Sequence, residues 1–110
     1  MSPQPLAEFE LLVMLATARL RESYGAAIRR EIEDRTGRDV SIGALYATLA
    51  RLEDKGFLTC DVAAPKPVPG GRARKLYHYT RAGLRAVEHA TAVVDRLRDG
   101  LDLDALEVRP

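Results

Sequence analysis

The stretch that decides the fold is DVSIGALYATLARLEDKGFL, residues Asp39 to Leu58. Four of its apolar side chains recur at steps of 3, 4 and 3, which at about 3.6 residues per turn places them on one stripe of a helix. They are Ile42, Leu45, Leu49 and Leu52. Because serine is a favoured helix cap and glycine a favoured helix stop, we expect this helix to begin at Ser41 and to end at Gly56.

The opposite face of this helix carries small residues in place of the usual lysine and glutamate. Its members are Gly43, Ala44, Ala47, Thr48 and Arg51. Small side chains let a helix backbone approach base edges in a DNA major groove, where threonine and arginine can contact bases or phosphate. The alternative is that these residues are ordinary helix formers on a solvated surface, since apolar periodicity indicates a core and not a ligand.

Two helices are expected before this stretch. Residues 6–20 follow Pro3 and Pro5 and are apolar on nearly every side, so this helix must be covered by several neighbours and a second subunit is expected to contribute. The next segment, SYGAAIRREIEDRTG, predicts a helix that Ser23 caps and Gly37 ends. It is joined to the helix of the deciding stretch by a short turn, which is the pattern of a helix-turn-helix.

After the deciding stretch, FLTCDV and KLYHYT predict two antiparallel strands. The segment between them, AAPKPVPGGRAR, has too many prolines and glycines to continue a strand and predicts a long loop. Residues 81–99 have apolar positions at helical spacing. The predicted fold is mainly α with a β-hairpin wing, a winged helix-turn-helix followed by a C-terminal dimerisation helix.

The net charge of +1 conceals an uneven distribution. Residues 1–40 sum to −1, residues 82–110 sum to −2, and residues 41–81 carry 7 basic and 3 acidic side chains, a sum of +4. Four cations lie in or beside the predicted loop, where positive charge is expected if phosphates are neutralised. They are Lys66, Arg72, Arg74 and Lys75. A solvated charged surface is the alternative interpretation.

Other chemistries find little support in the sequence. The chain has the length of one domain, with 46% hydrophobic and 30% charged residues, which is typical of a globular protein. No apolar run approaches the roughly 20 residues of a membrane-spanning helix. His78 and His89 have no partner at metal-ligand spacing, and no phosphate-binding glycine motif or nucleophile elbow occurs. Cys60 is interpreted as a packing residue, with a redox sensor as the alternative. We therefore expect no enzyme, metal or cofactor, and a cytoplasmic location.

Three segments, YGAAIRREI, SIGALYATLARLEDKGFL and GGRARKLYHYTRAGLRAV, resemble the PadR family of bacterial transcriptional regulators in order and spacing. The resemblance implies a homodimeric winged helix-turn-helix protein. It also implies DNA contacts by Tyr24, Ser41, Ala44, Tyr46, Ala47, Arg72, Arg74 and Lys75. The chain differs from the family in a wing lengthened by APKPVPGG and in having no tryptophan, so the aromatic drug-binding pocket of some members is not implied.

The resulting hypothesis divides the chain into a DNA-binding domain at residues 1–80 and a dimerisation helix with its tail at residues 81–110. It describes a repressor that binds double-stranded DNA at an inverted-repeat operator, with a small hydrophobic effector in the dimer interface or, alternatively, a fully packed interface. The interface residues are predicted to be Phe9, Leu12, Val13, Ala16, Val87, Ala90, Val94 and Leu97. Two alternative functions remain at this stage: a winged helix used for protein contacts, and a small-molecule-binding dimer without a DNA function.

Overall fold

The computed structural model describes residues 4–63 and 74–110. The elements follow one another in the order helix, helix, helix, strand, strand, helix, which confirms the predicted winged helix-turn-helix. They are α1 (Glu8–Arg19), α2 (Gly25–Thr36), α3 (Ile42–Asp54), β1 (Leu58–Ala63), β2 (Arg74–Tyr79) and α4 (Arg81–Arg98), followed by a 3-10 turn at Leu103–Ala105. No helix in the described ranges is both long enough and apolar enough to cross a membrane.

The core lies where α1, α2 and α3 meet the base of the hairpin and the first turns of α4. Leu45, Leu49 and Leu52 of α3 are completely buried in it, and burial of such side chains contributes about 2 kcal/mol each. Ile42 was predicted on the same stripe, but it is 58% exposed. That prediction is wrong because the core begins at Leu45, and the first turn of α3 extends beyond it.

The ends of α2 and α3 can be compared with the predicted caps and stops. Ser41 caps α3 as expected, since its hydroxyl oxygen accepts a hydrogen bond from the amide of Ala44 at 3.1 Å. The prediction that Ser23 caps α2 is wrong, because Tyr24 occupies the cap position. The Ser23 hydroxyl is buried and donates to the carbonyl oxygen of Thr17 at 3.2 Å. A helix-ending Gly37 follows α2 as expected.

The first helix is covered by its own chain more completely than the sequence suggested. It contacts α2, α3, α4 and β2, and Val13, Met14 and Ala16 are buried within the single chain. Most of α1 is therefore covered without a second subunit, contrary to the expectation from its sequence, and only Leu15 remains substantially exposed among the large apolar residues of this helix.

The hairpin pairs β1 and β2 antiparallel, with Leu58 opposite Tyr79 and Ala63 opposite Arg74. A short segment before α2 lies along the other edge of β2, where Tyr24 forms a bridge with Leu76 and the amide of Tyr77 donates to the carbonyl oxygen of Ser23 at 3.1 Å. The start of α2 is thus fixed beside the wing.

The last helix starts against the core and then leaves it. Thr80 caps it and also donates to the carbonyl oxygen of Gly56 at 2.6 Å. Gly83 allows the close approach, because a methyl group there would overlap the carbonyl oxygen of Phe57. Beyond Val87 every large apolar side chain of α4 is exposed. The radius of gyration, 16.9 Å, exceeds the roughly 13 Å expected for a compact domain of this length, which reflects an elongated molecule.

Candidate nucleic-acid interface

The outer face of α3 is free of charge over its first two turns. Gly43, Ala44 and Ala47 are exposed there, as predicted, and Tyr46 is exposed beside them. No charged residue occurs between Ser41 and Ala50. A helix with such small side chains can bring its backbone close to another surface. The shape suits insertion into a major groove, which is wide enough to admit one helix.

Thr48 does not belong to this face. It is 1% exposed, and its hydroxyl oxygen accepts a hydrogen bond from Nη2 of Arg51 at 2.9 Å. The prediction that Thr48 faces DNA is wrong, because the position one turn before Leu52 points toward the interior of the protein. Arg51 is half exposed but is turned toward Thr48 and toward Glu10, whose Oε2 lies 3.8 Å from Nε of Arg51.

A second part of the site is a pocket of about 260 Å³ between the start of α2, the middle of α3 and β2. It brings together four residues predicted to contact DNA although they are far apart in the sequence. They are Tyr24, Tyr46, Arg74 and Lys75. The guanidinium carbon of Arg74 lies 4.9 Å from the centre of the Tyr24 ring, a cation–π contact that orients the arginine at the pocket.

The backbone at this pocket also favours an anion. No side chain within the described residues caps the first turn of α2, and that turn contains no acidic residue. The positive end of the helix dipole and its free amides therefore add to the charges of Arg74 and Lys75. Gly25 makes room for the neighbouring ring, since a Cβ atom there would lie 2.5 Å from the hydroxyl oxygen of Tyr46. The arrangement can hold one phosphate group.

Tyr77 closes the inner side of the pocket. Burial, with smaller contributions from Glu53, Cys60 and Tyr46, raises the pKa of Tyr77 to about 12. Tyrosine with its ordinary pKa of about 10 is already protonated at neutral pH, and the raised pKa keeps Tyr77 neutral at higher pH as well. The phenol therefore adds no negative charge that would repel a phosphate group from the pocket.

Sequence reasoning missed the residue that holds α3 in place. Glu10 of α1 is buried, with a side chain 3% exposed, and both of its oxygens accept hydrogen bonds from Nζ of Lys55 at 2.9 Å. Burial opposes ionisation of Glu10, but hydrogen bonds from Lys55 and the Ala7 amide, together with the charges of Lys55 and Arg51, lower its pKa overall. The pair joins positions 45 residues apart, and no local sequence pattern indicates such a contact.

Some predicted residues fall elsewhere. Lys66 and Arg72 lie outside the described residues. Cys60 is half buried, its thiol donates to Oε2 of Glu53 at 3.4 Å, and burial and Glu53 raise its pKa, which disfavours the reactive thiolate. His78 lies 3.2 Å from a carboxylate oxygen of Asp61. Within the described ranges, no three potential metal-ligating side chains come together.

The predicted interface residues fall into three groups by burial. Val13, Ala16 and Val87 are buried in the core of their own chain, so the prediction that they face a partner is wrong. Phe9, Leu12 and Ala90 are half buried, and Val94 and Leu97 are 49% and 76% exposed. A groove of about 400 Å³ lies between α4 and α1 together with the residues just before α1. Its lining is mainly apolar, with Leu6, Leu11, Ala86, Ala90, Val93 and Val94, and it also includes Gln4, Glu8 and His89.

Three comparisons with known proteins agree with this geometry. The transcriptional regulator Rv3488 of Mycobacterium tuberculosis is 38% identical over 76 residues, which are 69% of this chain and 66%, just under two thirds, of that protein. A PadR family transcriptional regulator from Eggerthella lenta is 32% identical, with a TM-score of 0.67 over 84% of this chain and 81% of that chain. A PadR-like transcription factor from Bacteroides fragilis, 23% identical, shares the fold, with a TM-score of 0.72 over 83% of this chain and 84% of that chain. The profile of the transcriptional regulator PadR-like family matches residues 13–89, and the chain therefore belongs to this family of regulators, which are not enzymes.

Proposed function

We propose that the protein is a cytoplasmic repressor that binds double-stranded DNA sequence-specifically as a homodimer. The observation that carries this proposal is the position of the uncharged outer face of α3 next to the phosphate-sized pocket of Tyr24, Tyr46, Arg74 and Lys75. In this arrangement α3 enters the major groove while the pocket holds a phosphate of the flanking backbone. Phosphate contacts set the position of the helix, and contacts in the groove set the sequence preference.

The second subunit is proposed to bind along the distal half of α4. Val93, Val94 and Leu97 are exposed there, and the tail beyond Gly100 exposes four more large apolar residues. They are Leu101, Leu103, Leu106 and Val108. Clusters of this kind are unusual on a monomer and mark interaction surfaces. We therefore assign DNA binding to residues 1–80 and dimerisation to residues 81–110.

Dimer symmetry leads to a prediction about the operator. A two-fold dimer presents two α3 helices related by rotation, so its site is expected to be an inverted repeat with half-sites about 34 Å apart, one helical turn of DNA. Selection of bound sequences from a random DNA pool tests this directly. A palindrome supports the proposal, whereas enrichment of no sequence contradicts specific DNA binding.

The role of the wing is tested by salt dependence. We expect Arg74→Ala to weaken binding to all sequences alike and to lower the slope of log Kd against log salt by about 1, because one phosphate contact is lost. Arg96→Ala, on the distal part of α4, is the matched control and should leave the slope unchanged. A changed sequence preference with an unchanged slope in Arg74→Ala would contradict the assignment to phosphate.

The groove between α1 and α4 supports a regulatory site for a small hydrophobic effector. Its volume of about 400 Å³ lies within the range of small-molecule sites, and it adjoins the proposed dimer surface at Val93 and Val94. A ligand that binds there can alter the angle between subunits and hence the spacing of the two α3 helices. A thermal-shift screen followed by operator-release measurements tests the link. A compound that stabilises the dimer but leaves operator affinity unchanged argues against coupling.

A further inference from the structure

The surface between α1 and α2 has an apolar groove that shares no residue with the groove between α1 and α4. Its apolar lining is formed by Leu12, Leu15 and Ala16 of α1 and by Ile32 of α2. The volume of about 140 Å³ is less than the roughly 300 Å³ of the smallest small-molecule sites. It is close to that of a cavity of about 150 Å³ that holds one benzene molecule. The groove between α1 and α2 therefore suits a single apolar side chain better than a free ligand.

Two arginines stand at the edge of this groove around one carboxylate. Nε of Arg19 lies 3.0 Å and Nε of Arg35 lies 2.6 Å from Oε1 of Glu31. A glutamate is ionised at neutral pH, and hydrogen bonds from Arg35 and Arg19 lower the pKa of Glu31 further. The three side chains therefore carry one net positive charge. Both guanidinium groups are about half exposed, and their Nη atoms carry further N–H groups that can donate to a second carboxylate.

The tail, residues 101–110, has the complementary composition. It interleaves apolar and acidic side chains and contains three acidic residues and one arginine. Leu103 and Leu106 are three residues apart across the 3-10 turn, so they project to the same side. They are 56% and 58% exposed, and Asp104 lies between them in the sequence. The tail thus pairs an apolar surface with a neighbouring negative charge.

The tail is placed to reach a second subunit and not its own groove. Beyond Val87, α4 leaves the core, and every residue from 101 to 110 is exposed in the single chain. In a two-fold dimer the same surface of both subunits forms the contact. An axis perpendicular to α4 places the distal half of one α4 beside the first half of the other, which packs on its own α1. The tail that follows then lies over the body of the second subunit.

Leu15 connects the groove between α1 and α2 with the proposed dimer surface. It follows Leu11, which lines the groove between α1 and α4, by four residues and follows Leu12 by three. It therefore lies on the helix surface between the two grooves. Leu15 is 38% exposed in the single chain, and a segment that crosses from one groove to the other would cover it.

We propose that the tail of each subunit binds in the groove between α1 and α2 of the other subunit. Leu103 and Leu106 pack against the apolar lining, and Asp104 pairs with Arg35 of the partner subunit. This inference rests on the homodimer proposed above and names the surface to which its tail binds. Because the groove belongs to the DNA-binding domain, the contact fixes that domain relative to α4 of the partner and hence the distance between the two α3 helices.

The tail is tested in the full chain by fluorescence-detected sedimentation, which gives the Kd of the dimer. We expect Leu103→Ser combined with Leu106→Ser to weaken dimerisation about 100-fold, because about ten-fold is lost at each of the two symmetric contacts. Circular dichroism of this variant should match that of the unmodified protein, since both side chains lie outside the core.

The groove is tested by a charge reversal and its rescue. We expect Arg35→Glu to weaken dimerisation about ten-fold, or about three-fold at each contact. Arg30→Glu makes the same charge change on an exposed residue of α2 that does not line the groove, and it should leave Kd unchanged. Combining Arg35→Glu with Asp104→Arg should return Kd to within about three-fold of the unmodified protein, which a loss of helix stability alone would not do.

The outcomes separate this inference from the homodimer on which it rests. If the unmodified protein is a dimer and the tail variant has the same Kd, the role of the tail is overturned and the dimer stands. If the tail variant weakens dimerisation but Arg35→Glu does not, the tail binds elsewhere, such as against the other tail, and the assignment to the groove is overturned. If the unmodified protein is a monomer, both proposals fail.

Discussion

The two halves of α4 contrast sharply although they belong to one helix. The first half places Gly83, Ala86 and Val87 against the core, where they are buried. The second half exposes Val93, Val94 and Leu97, and the tail continues the exposed apolar surface. Both halves have the same apolar spacing, so the spacing does not distinguish a residue that is buried within its own chain from one that is left exposed.

Polar groups show the same contrast between the body of the protein, which comprises α1 to α3, the hairpin and the first half of α4, and its distal end, which comprises the second half of α4 and the tail. In the body, buried polar side chains have defined partners: Glu10 is paired with Lys55, and the hydroxyl of Thr17 donates to the carbonyl oxygen of Val13 at 2.7 Å. No buried polar side-chain atom in the described ranges is left without a partner. Among the described residues, the tail makes only local hydrogen bonds, such as that from the amide of Asp104 to the carboxylate of Asp102. The buried polar side chains of the body are therefore paired within the single chain, whereas the distal end extends away from the core and is exposed.

The largest effect should come from a charge placed on the distal half of α4. We expect Val94→Asp to weaken dimerisation by about 4 kcal/mol, roughly 1,000-fold in Kd, because an unpaired carboxylate would be buried in the interface. Since Val94 is half exposed in the single chain, the helical content should be retained. Sedimentation measures the association. Arg96→Asp, on the opposite side of the helix, is the control. A folded monomer for the unmodified protein at micromolar concentration would contradict the proposal that the distal half of α4 forms a dimer interface.

A smaller effect should follow from a methyl group added to the packed half. We expect Gly83→Ala to destabilise the fold by about 3 kcal/mol, because the new Cβ would overlap the carbonyl oxygen of Phe57 and lie 3.0 Å from Cε of Met14. Gly43→Ala is the matched control. Its Cβ would meet open space, and it should stabilise α3 by about 0.5–1 kcal/mol. Urea unfolding of both variants decides the matter, and equal stabilities would mean that α4 does not pack as described.

The smallest effect concerns the acid stability of the body. Because the pKa of Glu10 is lowered in the folded state, its contribution is present above the unfolded pKa of about 4.5 and is lost as the pH falls through the lower, folded value. We expect Glu10→Gln to cost about 2 kcal/mol at neutral pH and to flatten the loss of stability below pH 4.5.

The control for this prediction is Glu8→Gln, at an exposed carboxylate paired with Arg38, which should cost less than about 1 kcal/mol. Hydrogen bonds from Arg35 and Arg19 also lower the pKa of Glu31. The relevant quantity is therefore the difference between the unmodified protein and Glu10→Gln across pH, measured by urea unfolding. Parallel pH profiles for the two proteins would show that Glu10 is not the titrating group.

Local sequence patterns were sufficient for the elements of the fold and for part of the site. Helical spacing, the Ser41 cap and the stops at Gly37 and Gly56 depend on interactions within a few residues, so they can be predicted from the chain alone. The exposure of Ala44 and Ala47 also followed from the position of the leucine stripe. At the edges of the stripe this reasoning failed: Thr48 is inside and Ile42 is outside, because the edge of a stripe is set by the neighbouring elements.

The sequence by itself determined that the chain forms a winged helix-turn-helix of the PadR-like family, since periodicity, caps and the order of motifs are all local properties. Only the tertiary structure decided that Tyr24 contacts Arg74 and that Glu10 pairs with Lys55. It also decided that Val87 is buried in the core whereas Val94 is exposed. These are contacts between residues far apart along the chain. Burial of an apolar side chain is favourable wherever water is excluded, so the identity of the residue does not indicate which surface will cover it. The packing of the helices determines that surface.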